Sequence, residues 1–284
     1  DLIKEGSLKV NDGIMKPKDR AYLGDLLVVE AELTAEEAWL PEKMALDIVH
    51  EDDHLLVINK ASNVVVHPAA GHSKGTLLNG LLHYCPSLQE LPRGGIVHRL
   101  DKDTTGLMVV AKTLIAHASL VNQLQARTVS REYEAVVQGV LTGGGTVVKP
   151  LGRHPANRKK RAVVEEGQEA ITHYRVLNRF RSHTHIQVKL ETGRTHQIRV
   201  HMAALNHALL GDPLYGGRLQ LPASCSKELA EYLRIFRRQA LHARRLALIH
   251  PDSEEELSWE AETPEDMIEL MELLRLDMHP EQGK

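Results

Sequence analysis

Cysteine is scarce in this chain. Cys85 and Cys225 are the only two in 284 residues, far apart and outside any C-x-x-C spacing. A disulfide framework is thereby excluded, and free thiols in a cytosolic protein are expected. No apolar run approaches membrane-spanning length and no signal peptide opens the chain, so no membrane association is expected. The first residue is Asp rather than Met, which fits a fragment or a partly ordered chain. There is no Walker loop, no dinucleotide fingerprint and no zinc-protease helix, so no motif of these kinds points to a nucleotide, redox cofactor or metal. Histidine is plentiful at 17, but its spacing offers only pairs such as His196 and His201, which diverge on a helix. No internal repeat is visible.

What is present is a hydrophobic content of 42%, enough for one sizeable core plus a small appendage. The net charge of −3 conceals a partition. Residues 1–91 carry 8 Lys/Arg against 15 Asp/Glu, residues 92–250 carry 25 against 11, and residues 251–284 carry 2 against 12. Within the basic block, Arg153-His-Pro-Ala-Asn-Arg-Lys-Lys-Arg161 holds five cations and no acid. Such a run is a solvated loop or a strip along phosphates. Its setting favours phosphates, whose neutralisation dominates nucleic-acid affinity.

Along the chain, residues 1–10 read as a helix end and a strand entry, Val10-Asn-Asp-Gly13 as a turn, and Leu26 to Val29 as a short strand. Residues 34–45, rich in Glu and Ala, read as a linker. Strand signals dominate from Leu46: Leu55 to Ile58, then Val64 to Pro68. Leu114, Ile115, Ala118, Val121 and Leu124 form a helical stripe. Further strands are expected at Ser130–Gly139, Ile171–Phe180, His185–Leu190, Ala243–Ile249 and Glu256–Ala261. A hairpin after Gly143–Gly145 carries the basic loop. Thr195 is placed to cap a helix containing Ile198, Met202 and Leu205. Helices are also expected around 226–240 and after Thr263, with Pro264 at the first position of the last one. Mostly antiparallel strands with flanking helices make an α+β fold.

Three strings carry chemistry. His98-Arg-Leu-Asp101 sets an acid in a loop bounded by glycines, directly before the apolar run Leu107–Ala111, which reads as a buried strand. A carboxylate at the mouth of such a strand is a reactive acid on a rigid support or an ordinary loop acid. Arg131-Glu-Tyr-Glu134 places Arg131, Tyr133, Ala135 and Val137 on one strand face, where Tyr133 is a core ring or a site ring. Glu191-Thr-Gly-Arg-Thr-His-Gln-Ile-Arg199 puts a cation, Arg194, at a helix start, where it opposes the dipole unless an anion lies near.

In that order and company, from about Leu46 to the C-terminal helix, these strings resemble the RluA branch of pseudouridine synthases, and most the D-type that acts on large-subunit ribosomal RNA. Residues 1–33 resemble the tail of an S4-type RNA-binding domain, and residues 46–284 the catalytic domain. The implied fold is a mixed, mainly antiparallel sheet with a central cleft. The implied activity moves uracil from N1 to C5 attachment on ribose and needs no cofactor. In the resemblance, Asp101 acts on the target ribose, by attack at C1′ or by taking the C2′ proton. Arg194 is its partner, Tyr133 stacks on the base, and Leu241 packs near the uracil. Arg99 fills the place the base leaves when it is flipped out. Lys102, Arg158, Lys159, Lys160 and Arg161 are read as phosphate contacts, and His98 as structural. Relatives usually have Pro and Gly where Ala61 and Asn63 stand here.

The leading reading is an enzyme acting on a stem-loop of 23S ribosomal RNA, with helix 69 as target, on free RNA or a pre-50S particle, as a cytoplasmic monomer. The alternatives are the same chemistry on transfer RNA or another ribosomal site, a non-catalytic RNA-binding or assembly factor, and a hydrolytic nucleosidase that would release free uracil.

Overall fold

The computed structural model describes residues 8–11, 13–16, 19–20, 22–29, 39–68 and 74–278. Residues 1–7 of the expected helix end and strand entry, and residues 34–38 of the expected linker, lie outside them. The chain divides into two units, at Trp39/Leu40.

In the first unit, β1 (Leu8–Val10), β2 (Gly13–Ile14) and β3 (Leu27–Val29) form an antiparallel sheet in the order β2-β1-β3. Asn11, in the turn between β1 and β2, takes the left-handed φ of 50° that Asn tolerates. Its side chain holds the far end of the sheet by donating to Asp25 and accepting from Leu26 N–H.

The second unit begins earlier than expected. Leu40 to Met44 is bound rather than linking: Asn79 Nδ2 donates to Leu40 O, Glu42 N–H donates to Asn79 O, and Met44 lies against Gly80. The elements that follow are β4 (Ile48–Glu51), β5 (Leu55–Lys60), α1 (Leu77–Tyr84), β6 (Thr105–Ala111), α2 (Leu114–Gln125) and β7 (Ser130–Gln138). Next come β8 (Gly145–Val148), β9 (Leu151–Arg153), β10 (Arg161–Val163), β11 (Ile171–Arg179), β12 (His183–Leu190) and α3 (Gln197–Ala204). The chain closes with α4 (Lys227–Ile235), β13 (Leu241–Ile249), β14 (Glu256–Glu260) and α5 (Glu265–Leu276). Nine strands make one sheet in the order β4-β5-β6-β13-β7-β12-β11-β8, with β14 on β13. β9 and β10 pair separately as the hairpin that carries the basic loop.

β6 lies inside the sheet and is buried on both faces, as its unbroken apolar run requires. It runs parallel to β13 over Thr105–Gly106 and His242–Ala243, and beyond that β14 takes the free edge of β13. Gly106 permits the approach: it has φ of +113°, and a Cβ there would sit 2.3 Å from Ala243 O. Leu55, Val57, Leu107 and Val109 pack with Ala116 and Leu120 of α2, while Val136, Phe180 and Leu210 pack with α4 and α5.

Some expectations fail here. Val64–Pro68 is not a strand. Helix α1 follows it instead, started by a capping box in which Thr76 and Asn79 satisfy each other's backbone N–H. α2 turns Ala116 and Leu120 inward and leaves Leu114 and Ile115 exposed. Pro264 is the N-cap of α5 rather than its first helical residue.

Candidate active site

After Gly95, which passes so close to β6 that a Cβ would meet Ala111 O at 2.0 Å, the chain pairs with β6 at Ile96–Val110. His98 Nε2 then accepts Val109 N–H at 3.1 Å. That bond needs an unprotonated nitrogen. Burial, helped by the nearby Arg131 charge, pushes the His98 ring down to about 3, which supports its structural role. The chain turns back into β6 through a loop closed by Thr104 N–H on Asp101 O. Lys60, buried at the end of β5, holds this loop by donating to the carbonyls of Lys102, Ala61 and Val64. Desolvation lowers its ammonium to about 8.

Asp101 opens into a cleft of about 570 Å³. Tyr133 of β7, Leu241 of β13, Arg99 and Arg194 line the same cleft. Tyr133 is almost fully buried, and burial raises its hydroxyl above the ordinary value, with the Asp101 charge adding to the effect.

The partner of Asp101 is Arg199, not Arg194. Arg199 Nη1 donates to Asp101 Oδ2 at 2.8 Å, while Arg194 is exposed and donates through Nε to Glu169 O at 3.0 Å. The two arginines lie on either side of the start of α3. His196, not Thr195, is the N-cap, in a left-handed conformation with φ of 58° and no side-chain cap. Gln197 fixes the turn: its Oε1 accepts from Thr192 Oγ1 and Arg194 N–H, and its Nε2 donates to Ile171 O and Thr172 Oγ1. Arg194 stands in the turn before the helix and Arg199 inside it.

Arg199 bridges two carboxylates. Its Nε and Nη2 meet both oxygens of Asp212 at 2.7 and 2.9 Å, and the Asp212 side chain is fully buried. Burial works against the guanidinium charge, but its hydrogen bonds to Asp212 and the charges of both acids outweigh it and hold Arg199 above its ordinary value. Asp212 Oδ1 also takes the N–H groups of Leu214 and Tyr215, so one acid shapes the turn that presents Tyr215. The Tyr215 ring lies under Arg199, 5.1 Å away, and its hydroxyl accepts Arg161 N–H at 2.8 Å. The same hydroxyl meets His196 Nδ1, also at 2.8 Å. Burial lowers the His196 ring, whose Nε2 lies 3.8 Å from Asp101 Oδ1. One oxygen of Asp101 is thus held by Arg199, and the other is turned toward His196.

The remaining expected contacts lie elsewhere. Lys102 is exposed and does not line the cleft. Arg158 and Lys159 are exposed on the β9–β10 hairpin, and Lys160 and Arg161 are half-buried beside Tyr215, Lys160 Nζ lying 5.8 Å from its ring. None of the four lines the cleft. Sequence reasoning missed Arg199, Asp212, His196 and Tyr215. Arg199 stood inside a quoted string, while Asp212 and Tyr215 gave no signal that linked them to Asp101. Among the described residues no group of three or more His, Cys, Asp or Glu could hold a metal ion, and no helix is long and apolar enough to cross a membrane.

Residues 54–204 match the family model of RNA pseudouridylate synthases. The chain belongs to that family. As an RNA pseudouridine synthase it is an isomerase of uridine in RNA. The chain is 58% identical over 275 residues to the ribosomal large subunit pseudouridine synthase D of Pseudomonas aeruginosa, covering 97% of this chain and 86% of that protein. It is 53% identical over 262 residues to the protein of the same name from Escherichia coli, covering 92% and 80%. The solved structure of human RNA pseudouridylate synthase domain containing 4 superposes with a TM-score of 0.63 at 27% identity, over 81% of this chain and 93% of that one. For domain containing 1 the values are 0.60, 25%, 78% and 84%.

Proposed function

We propose that this pseudouridine synthase acts on large-subunit (23S) ribosomal RNA, with uridines in the helix 69 loop as its target. The observation that carries the mechanistic reading is the Asp101–Arg199 pair, set in one cleft with Tyr133 and Leu241. Breaking a glycosidic bond develops positive charge on the sugar, which an ionised carboxylate can trap or relieve. Asp101 takes that part, at C1′ or at the C2′ proton. Arg199 binds one of its oxygens and leaves the other facing the cleft beside His196. Tyr133 offers a flat apolar face to the extruded base with a polar tip, and Leu241 packs beside the uracil. Arg99 stands in the gap left in the RNA, and Arg194 serves as a rim cation for phosphate instead of the acid's partner. Lys102 and the hairpin cations Arg158, Lys159, Lys160 and Arg161 extend the phosphate track beyond the cleft.

The ribosomal target is supported by the names of the relatives that span nearly all of this chain. The short antiparallel sheet of residues 8–29 agrees with a piece of an S4-type RNA-binding module. Action as a monomer and a cytoplasmic setting belong to the same reading.

The test compares RNA from a strain lacking the gene with RNA from the complemented strain, using reverse-transcriptase stops after carbodiimide treatment. Stops in helix 69 are expected to vanish with the gene and return with it. Stops that persist there while a transfer RNA or another ribosomal site loses its own would overturn the target.

A further inference from the structure

Arg131 is a buried cation without a counter-charge. It is 8% exposed and lines the cleft two residues from Tyr133 on the same face of β7. Among the described residues it forms no ion pair, and its one hydrogen bond is from Nη2 to Glu191 O at a long 3.3 Å. Its Nε is buried with no hydrogen-bond partner. The guanidinium lies against Gly193, where a Cβ would come within 2.5 Å of Nη1. Contrast Arg199, whose three N–H edges are all taken by carboxylates. A desolvated, unpaired guanidinium is costly, and such a group with an orphaned N–H is expected to meet an anion brought by the ligand.

The reaction generates one. When the C1′–N1 bond breaks, its electron pair leaves with uracil, giving an N1 anion whose charge spreads to O2 and O4. C1′ is satisfied either by a bond from an Asp101 oxygen or by a C1′–C2′ double bond after Asp101 takes the C2′ proton. When C5 joins C1′, either the bond from C1′ to the Asp101 oxygen breaks or C2′ takes its proton back from Asp101, so the charge returns to the acid, and the C5 proton is then lost as N1 gains one. Two residues along a strand span about 7 Å, within reach of a base lying on the Tyr133 ring. We infer that Arg131 is a catalytic residue whose guanidinium stabilises the detached uracil anion. This rests on the reading of Asp101 and Tyr133 above.

The test uses the whole protein and bulk RNA labelled with 5-tritiated uridine from a strain lacking the gene, which contains the target whichever RNA that is. Arg131→Met is expected to lower the kcat of tritium release roughly 10²- to 10³-fold, the range for loss of a preorganised anion-stabilising donor. KM for the RNA stays within about threefold and its salt dependence is unchanged, because the anion exists only after bond cleavage. The urea midpoint is unchanged or higher, since Met removes an unpaired buried charge. Arg131→Lys is expected to recover part of the rate. The inference is overturned if Arg131→Met keeps kcat within about threefold. It is equally overturned if KM rises with a flatter salt dependence, which marks a phosphate clamp, or if rate and midpoint fall together with no recovery by Lys. Failure of the underlying reading registers separately, as tritium release by Asp101→Asn.

Discussion

At the scale of the residue, the decisive question is which arginine serves Asp101. Both stand in one nine-residue string, and the sequence reading named Arg194 alone; what sets Arg199 against the acid is its place inside α3 and its second carboxylate partner, Asp212, neither of which the spacing displays. Asp101 and Tyr133 were legible because their strings carry them directly. Asp212 was not, since it reaches the site only through Arg199. The two arginines separate experimentally. Arg199→Ala leaves Asp212 buried and unpaired and is expected to cost about 3–5 kcal/mol in urea unfolding. Arg194→Ala is expected to change stability by less than about 0.5 kcal/mol and to reduce the salt slope of RNA binding by about 1. The reverse order of the two midpoints would restore Arg194 as the acid's partner.

At the scale of the element, β6 was plain in the sequence because a strand buried on both faces needs an unbroken apolar run. Helix α1 was not, since its Leu-rich stretch has no polar face and its capping box uses Asn79 where Glu or Gln is the usual signal. In α2 the apolar positions outnumber the contacts available: the Ala116–Leu120 row meets β6, and Leu114 and Ile115 stay outside. The basic hairpin was located correctly, but it lies outside the cleft, tied to it through the backbone of Arg161 and the Tyr215 hydroxyl. Neutralising Arg158, Lys159, Lys160 and Arg161 together to Gln is therefore expected to weaken RNA binding and lower the salt slope by roughly 2 to 4, with single-turnover rate at saturating RNA little changed. An unaltered slope would return the hairpin to ordinary surface.

At the scale of the whole molecule, an overall charge of −3 coexists with a cleft rimmed by arginines, because the cations concentrate between residues 92 and 250. Burial holds several histidines neutral in that fold. His98 is pushed down to about 3, and His67, His183 and His242 to about 4, against an ordinary 6.5. Their folded values are depressed, so the unfolded chain takes up protons first as pH falls. The stability they contribute is complete above about pH 6.5 and is lost progressively toward pH 4. Melting temperature is expected to fall steadily between pH 7 and 5, and a flat profile over that range would contradict the burial assigned to these rings. The measurement that bears most directly on the account is single-turnover tritium release from 5-tritiated uridine RNA by Asp101→Asn beside the wild type. The account predicts no detectable release by the variant, with RNA affinity within about threefold of the wild type. Release at a comparable rate would contradict it.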